Sequence, residues 1–214
     1  LAGNYAAVES EVTAHDLPVV GEIPVELEGR WLRNGPNPES VDDPALHHWF
    51  LGTGMVHGVR LRGGKAEWYK NRFVLNAADR AAGLFGSNTN VGGFAGTTWA
   101  MVEGGQPPVE LDYELNSLGI NRFHDTLDGP FTAHPKYDVS TGELHSVNYH
   151  WPDLIDHVNY TVVGGDGRVT KNVAIPVADM PMMHDMSLTE KYVVVYDLPV
   201  TVNMDVLVAG YAFP

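Results

Sequence analysis

The chain has no cysteine, which excludes disulfides, iron–sulfur clusters, thiolate zinc and a cysteine nucleophile. The same absence fits a reducing compartment. Positive charge is scarce: 13 Lys and Arg stand against 27 Asp and Glu, for a net charge of −14. Without a basic face to neutralise phosphates, nucleic acid is not an expected partner. No apolar run approaches the roughly 18 residues that a membrane-spanning helix needs. The opening residues LAGNYAAVES offer neither a basic lead nor an apolar stretch, which predicts no secretory signal and a soluble, cytoplasmic protein. Close-spaced metal and nucleophile motifs are also missing. There is no HxH, HExxH or GxSxG, which leaves zincin and serine-hydrolase chemistry unsupported.

What is present points to strands. Twenty-three glycines and fourteen prolines in 214 residues mark many turns, and a hydrophobic share of 44% is ample for a core. Residues 55–61 run to Gly63-Gly64 and return through residues 66–70, a hairpin closed by a glycine turn. Trp99 to Glu103 (WAMVE) reads as an apolar strand, and residues 144–151 alternate. Residues 157–163 and 169–177 flank Gly164-Gly165-Asp166-Gly167 as a second hairpin, and the β-branched run KYVVVYD, residues 191–197, reads as a buried strand. The glycine-rich Gly52-Thr53-Gly54 opens a strand rather than a helix, so it is not a phosphate cradle. Only Asn76 to Phe85 (NAADRAAGLF) looks helical. An ordinary surface helix or turn is the simpler reading of that segment, and a small apolar patch lying on a membrane surface is the alternative. No linker or charge run divides the chain, so residues 1–214 are expected to form part of a single domain.

Ten histidines are the remaining chemical resource, since imidazole is a common neutral ligand of first-row metals. Two segments share a loose grammar. GPFTAHPKYD places His134 where a loop becomes a strand, and PMMHDMSLTEKYVVVYD does the same with His184. The two histidines are fifty positions apart, about one four-stranded propeller blade. If each blade delivers one histidine from its inner strand, they converge on an axis.

The motifs resemble, in order, those of the carotenoid cleavage oxygenase family. They are LEGRWLRNGPNP (residues 27–38), HWFLGTGMVHG (48–58), NRFV (71–74), Asn88-Thr89-Asn90, AMVE (100–103), FTAHPKYD (131–138) and HDMSLTEKYVVVYD (184–197). That resemblance covers the amino-terminal half of the family. It implies an all-β fold, a seven-bladed β-propeller of which this chain covers roughly the first half of the blades. It also implies one Fe(2+) on the axis, bound by four histidines, of which His134 matches the first and His184 the second. Glu103 matches a glutamate that accepts a hydrogen bond from a ligand imidazole, by position that of His184. Thr89 matches a residue lining the open coordination side. The third and fourth histidines belong to the family's second half, which predicts that this chain is a piece of a longer protein. His57, His124, His145, His150 and His157 match no ligand and are expected to be structural.

The implied partners are an apolar polyene and O2, with peripheral membrane contact for lipid uptake, and the implied reaction is oxidative cleavage of a conjugated C=C bond. The stilbene-cleaving branch carries a lysine and a tyrosine where this chain has Val102 and Phe73, neither of which holds a phenol. A carotenoid or apocarotenoid is therefore the expected substrate class. The alternatives are a stilbene-cleaving enzyme, an isomerase of the visual type, which Thr89 disfavours, and a truncated, non-catalytic lipid-binding propeller.

Overall fold

Strand pairing follows the turn chemistry closely. A computed structural model describes residues 1–39, 41, 43–75, 88–151 and 154–211, with only the backbone of Asn88 and Thr89. The helical reading of residues 76–85 lies outside the described residues. The first sheet comprises β1 (Thr13–His15), β2 (Gly29–Asn37), β3 (Thr53–Arg62) and β4 (Lys65–Phe73), in the order β1-β4-β3-β2. Gly63 and Gly64 both take positive φ, 53° and 74°, between the paired Arg62 and Lys65. This is the geometry a two-residue hairpin loop demands and glycine supplies.

The second sheet is a plain meander of β5 (Asn88–Phe94), β6 (Thr97–Val102), β7 (Val109–Leu111) and β8 (Ser117–Ile120). The third repeats that plan with β9 (Lys136–Asp138), β10 (Glu143–Asn148), β11 (His157–Val163) and β12 (Val169–Pro176). A two-stranded sheet of β13 (Met186–Leu188) and β14 (Val193–Val195) follows. Every pairing is antiparallel.

Three apolar clusters join each sheet to the next. Val56 and Trp68 of the first sheet pack with Ala100, Val109 and Leu111 of the second. Trp99 and Met101, with Phe123 and Phe131 of the connecting segment, meet Leu144 and Val163 of the third. Val147, Tyr149 and Val158 meet Met183 and Met186 at the fourth. Alternation explains the sharing. In β6 Ala100 faces back while Trp99 and Met101 face forward, so a middle strand is buried on both sides and reads as a continuous apolar run. Each large side chain removed from water in this way contributes about 1.5–3 kcal/mol.

Hydrogen bonds also step from sheet to sheet. Asn34 of β2 donates to the Asn90 carbonyl of β5 at 3.0 Å, and Asn90 donates onward to the Ala133 carbonyl at 2.6 Å. Two histidines outside the candidate site serve as struts inside their sheets. His57 Nδ1 meets the Tyr69 hydroxyl at 2.9 Å and His145 Nδ1 meets the Tyr160 hydroxyl at 2.7 Å. In both cases the tyrosine lies two residues before the histidine's cross-strand partner, Asn71 or Val162.

One expectation is revised. The run KYVVVYD yields only the three-residue β14, with Tyr192, Val194 and Tyr196 exposed. Among the described residues β14 pairs with β13 alone; Val193 and Val195 pack on the cluster of Met183 and Met186, while Val194 between them points outward. Helix among the described residues is confined to a 3-10 turn at Gly3–Tyr5 and a helix at Met204–Val208 capped by Asn203. Among the described residues no helix is long and apolar enough to cross a membrane.

Candidate metal centre

His134 and His184 occupy equivalent places, each two residues ahead of the short strand that opens its sheet, β9 or β13. Proline after His134 favours extended backbone at the histidine, and Met183 and Met186, both buried, anchor the segment around His184. Glu103 follows the last residue of β6, where Gly104 turns the chain with φ of 59°.

These three side chains converge. The imidazole centroids of His134 and His184 are 4.5 Å apart with their planes inclined at 51°. Glu103 lies between them: Oε2 is 3.5 Å from His134 Nε2, and Oε1 is 3.5 Å from His184 Nδ1. The nitrogens and carboxylate oxygens offered all fall within 4.8 Å of one another. Glu103 was expected beside His184 and is found beside both histidines. A second tie joins the two loops, because Lys136 and Asp185, each close to one histidine, form an ion pair at 2.7 Å.

The electrostatics favour a cation. Burial holds the Glu103 carboxyl far above its usual range, at about 7, with nearby Asp185 adding to the rise and a bond from Tyr149 opposing it. That bond runs from the Tyr149 hydroxyl to Oε1 at 2.9 Å, while Oε2 is buried without a hydrogen bond. Burial and the neighbouring His184 hold His134 below the ordinary imidazole range, so its lone pair stays free at neutral pH. Two imidazoles and a buried carboxylate with an unsatisfied oxygen make a donor set short of positive charge. A divalent first-row metal fits that set.

Sequence reasoning did not find the residues that support this cluster. Thr132 Oγ1 accepts from the His134 backbone N–H, and the Thr132 N–H donates to Asn148 Oδ1 at 2.9 Å. Asn148 Nδ2 donates to Thr161 Oγ1, which donates to Asn172 Oδ1, both at 2.8 Å. Asn172 Nδ2 reaches the Asp128 carbonyl at 3.3 Å. The available signal was an asparagine inside an apolar strand pattern, an unfavoured residue there unless its amide is used.

The other predicted positions divide. Thr89 falls at the irregularity between the paired residues Asn88 and Asn90 of β5, and its side chain lies outside the described residues. Val102 is buried and Phe73 half-buried, so both present hydrocarbon. His57, His145 and His157 engage Tyr69, Tyr160 and Asp156. None of the five histidines expected to be structural, His57, His124, His145, His150 and His157, joins the cluster among the described residues.

A profile of the retinal pigment epithelial membrane protein family matches residues 5–213. A carotenoid cleavage oxygenase of Mycobacterium tuberculosis (strain CDC 1551 / Oshkosh) is 51% identical, the alignment covering 94% of this chain and 43% of the relative. Carotenoid 9,10(9',10')-cleavage dioxygenase 1 of Phaseolus vulgaris is 34% identical over 93% of this chain and 44% of the relative. Among solved structures, the lignostilbene dioxygenase of Pseudomonas brassicacearum superposes with a TM-score of 0.82 at 26% identity, covering 95% of this chain and 48% of that one. The chain therefore spans less than half the length of these relatives. The stack of sheets is part of a β-propeller, about half of one.

Proposed function

Because the chain belongs to the retinal pigment epithelial membrane protein family, the carotenoid cleavage oxygenases, we propose that it supplies half the active site of a non-haem Fe(II) dioxygenase. The substrate is a carotenoid or apocarotenoid, and O2 cleaves one conjugated C=C bond to give two carbonyl products. The observation that carries this reading is the meeting of His134, His184 and Glu103 at positions matching the family's first two iron histidines and their glutamate partner.

In this reading the two imidazoles hold iron together with two further histidines from the rest of the protein. Iron bound there would supply the dioxygen-activating chemistry. Glu103 orients the histidines: a carboxylate at the Nδ1 of His184 fixes the tautomer that leaves Nε2 free to ligate. Thr89 matches the family position assigned to the open coordination side. The hydrocarbon at Val102 and Phe73 suits a polyene and offers a phenol no partner. Peripheral contact of a cytoplasmic protein with membrane lipid would provide access to so apolar a substrate.

The test is metal analysis of the full-length protein, followed by incubation with carotenoids and identification of the products. One iron per protein and aldehyde or ketone products are expected. A protein unable to bind iron would sink the enzyme reading in favour of a lipid-binding propeller. The lignostilbene likeness supports a second reading, stilbene cleavage, and turnover of a 4-hydroxystilbene without turnover of any carotenoid would establish it.

A further inference from the structure

We infer that Tyr149 is a positioning residue for the metal centre: its hydroxyl sets the rotation of the Glu103 carboxylate, and through it the two histidines. This rests on the iron reading above.

Among the described residues His134, His184 and Tyr149 approach Glu103, and of these Tyr149 makes a hydrogen bond to it, 2.9 Å from Oη to Oε1. The terminal torsion of a glutamate is broad and has no strong preference of its own. One directional donor is therefore enough to select an orientation. With Oε1 held by the phenol, Oε2 is turned toward His134 Nε2, and Oε1 remains at the same distance from His184 Nδ1.

The donor itself is rigid. Tyr149 is 3% exposed and packs with Val147, Val158, Met183 and Met186, while the ring of Trp151 lies 5.6 Å away. The turn after β6 is shaped around its ring. A Cβ at Gly104 would lie 2.7 Å from Tyr149 Cε2 and 2.9 Å from Cζ, and Gly104 has a positive φ besides. A phenylalanine would fill this apolar pocket as well, so packing alone does not call for the hydroxyl. Among the described residues the hydroxyl's hydrogen-bond partner is the carboxylate between the two histidines.

The test uses the full-length protein in four forms: wild type, Y149F, E103A and the double variant. Affinities for Fe(II) and Co(II) are measured by chelator competition, and the visible spectrum of the Co(II) form is recorded. Loss of Glu103 is expected to weaken binding about 10–100-fold. Y149F is expected to weaken it about three- to tenfold, the worth of one hydrogen bond, and to shift the Co(II) bands. The double variant should bind no more weakly than E103A, since Tyr149 acts through that carboxylate. Wild-type affinity and spectrum in Y149F, with E103A weakened, overturn the Tyr149 assignment and leave the iron site standing. Multiplying losses in the double variant overturn it as well. A wild-type protein that binds neither metal overturns the iron reading and the assignment with it.

Discussion

His134 and His184 sit in equivalent places but are supported differently. The loop bearing His134 is tied by Thr132 and Asn148 into a hydrogen-bond chain that crosses β10, β11 and β12, and by Asn90 to the sheet before it. The loop bearing His184 rests on a two-stranded sheet, and its side chain is 55% exposed against 31% for His134. Its polar ties near the site, to Glu103 and through Asp185 to Lys136, lead back toward the His134 side. The first histidine is thus held by polar bonds that cross its own sheet, while the segment around the second is held by the burial of Met183 and Met186 and by backbone bonds from Met182 to Val200 and from Val202 to Met180. Buried polar chains of this kind confer a single geometry when every member is satisfied.

Four perturbations break or sharpen this contrast. His134→Ala or His184→Ala, the strongest, should abolish iron retention in the full-length protein, measured as metal per protein after dialysis. Stoichiometric iron in either variant would detach the site from the loops compared here. Asn148→Ala should come next, leaving the Thr132 N–H without its acceptor and Thr161 Oγ1 without the amide that donates to it, at a cost of about 2–4 kcal/mol, read by urea unfolding. A cost below about 1 kcal/mol would mean that the chain across the sheet is not what holds His134.

His145→Ala removes the bond to Tyr160 and should cost about 1–2 kcal/mol while leaving iron content unchanged. Loss of metal there would show that the ligands are misassigned. Lys136→Met is the mildest. Its pair with Asp185 is about one-third exposed on each side, so the cost should stay under about 1 kcal/mol and shrink with salt. A larger, salt-independent loss would show that the second loop depends on that tie more than its exposure suggests.

Much of the site could be read from order along the chain. Both histidine motifs, the Glu103 motif and the blade-length interval were visible, because each histidine precedes its strand by the same short step. Asn148 and Tyr149 were not, since their partners lie far off in sequence: Tyr149 meets a residue 46 positions earlier. Linear periodicity records which face a residue takes, not what waits opposite it. The exposure of Val194 in β14 shows the same limit in reverse. A β-branched run reports willingness to form a strand, while burial depends on the neighbouring layer. The helical reading of residues 76–85 and the Thr89 side chain fall outside the described residues.

Gly104 and Tyr149 also constrain how the protein can change. Any side chain at position 104 needs the space the ring occupies, and any smaller residue at 149 gives up the hydroxyl that reaches Glu103. Neither position can drift alone without passing through a variant that is either crowded or missing its tether. A change at one position therefore calls for a compensating change at the other, because the turn, the ring and the carboxylate share one small volume.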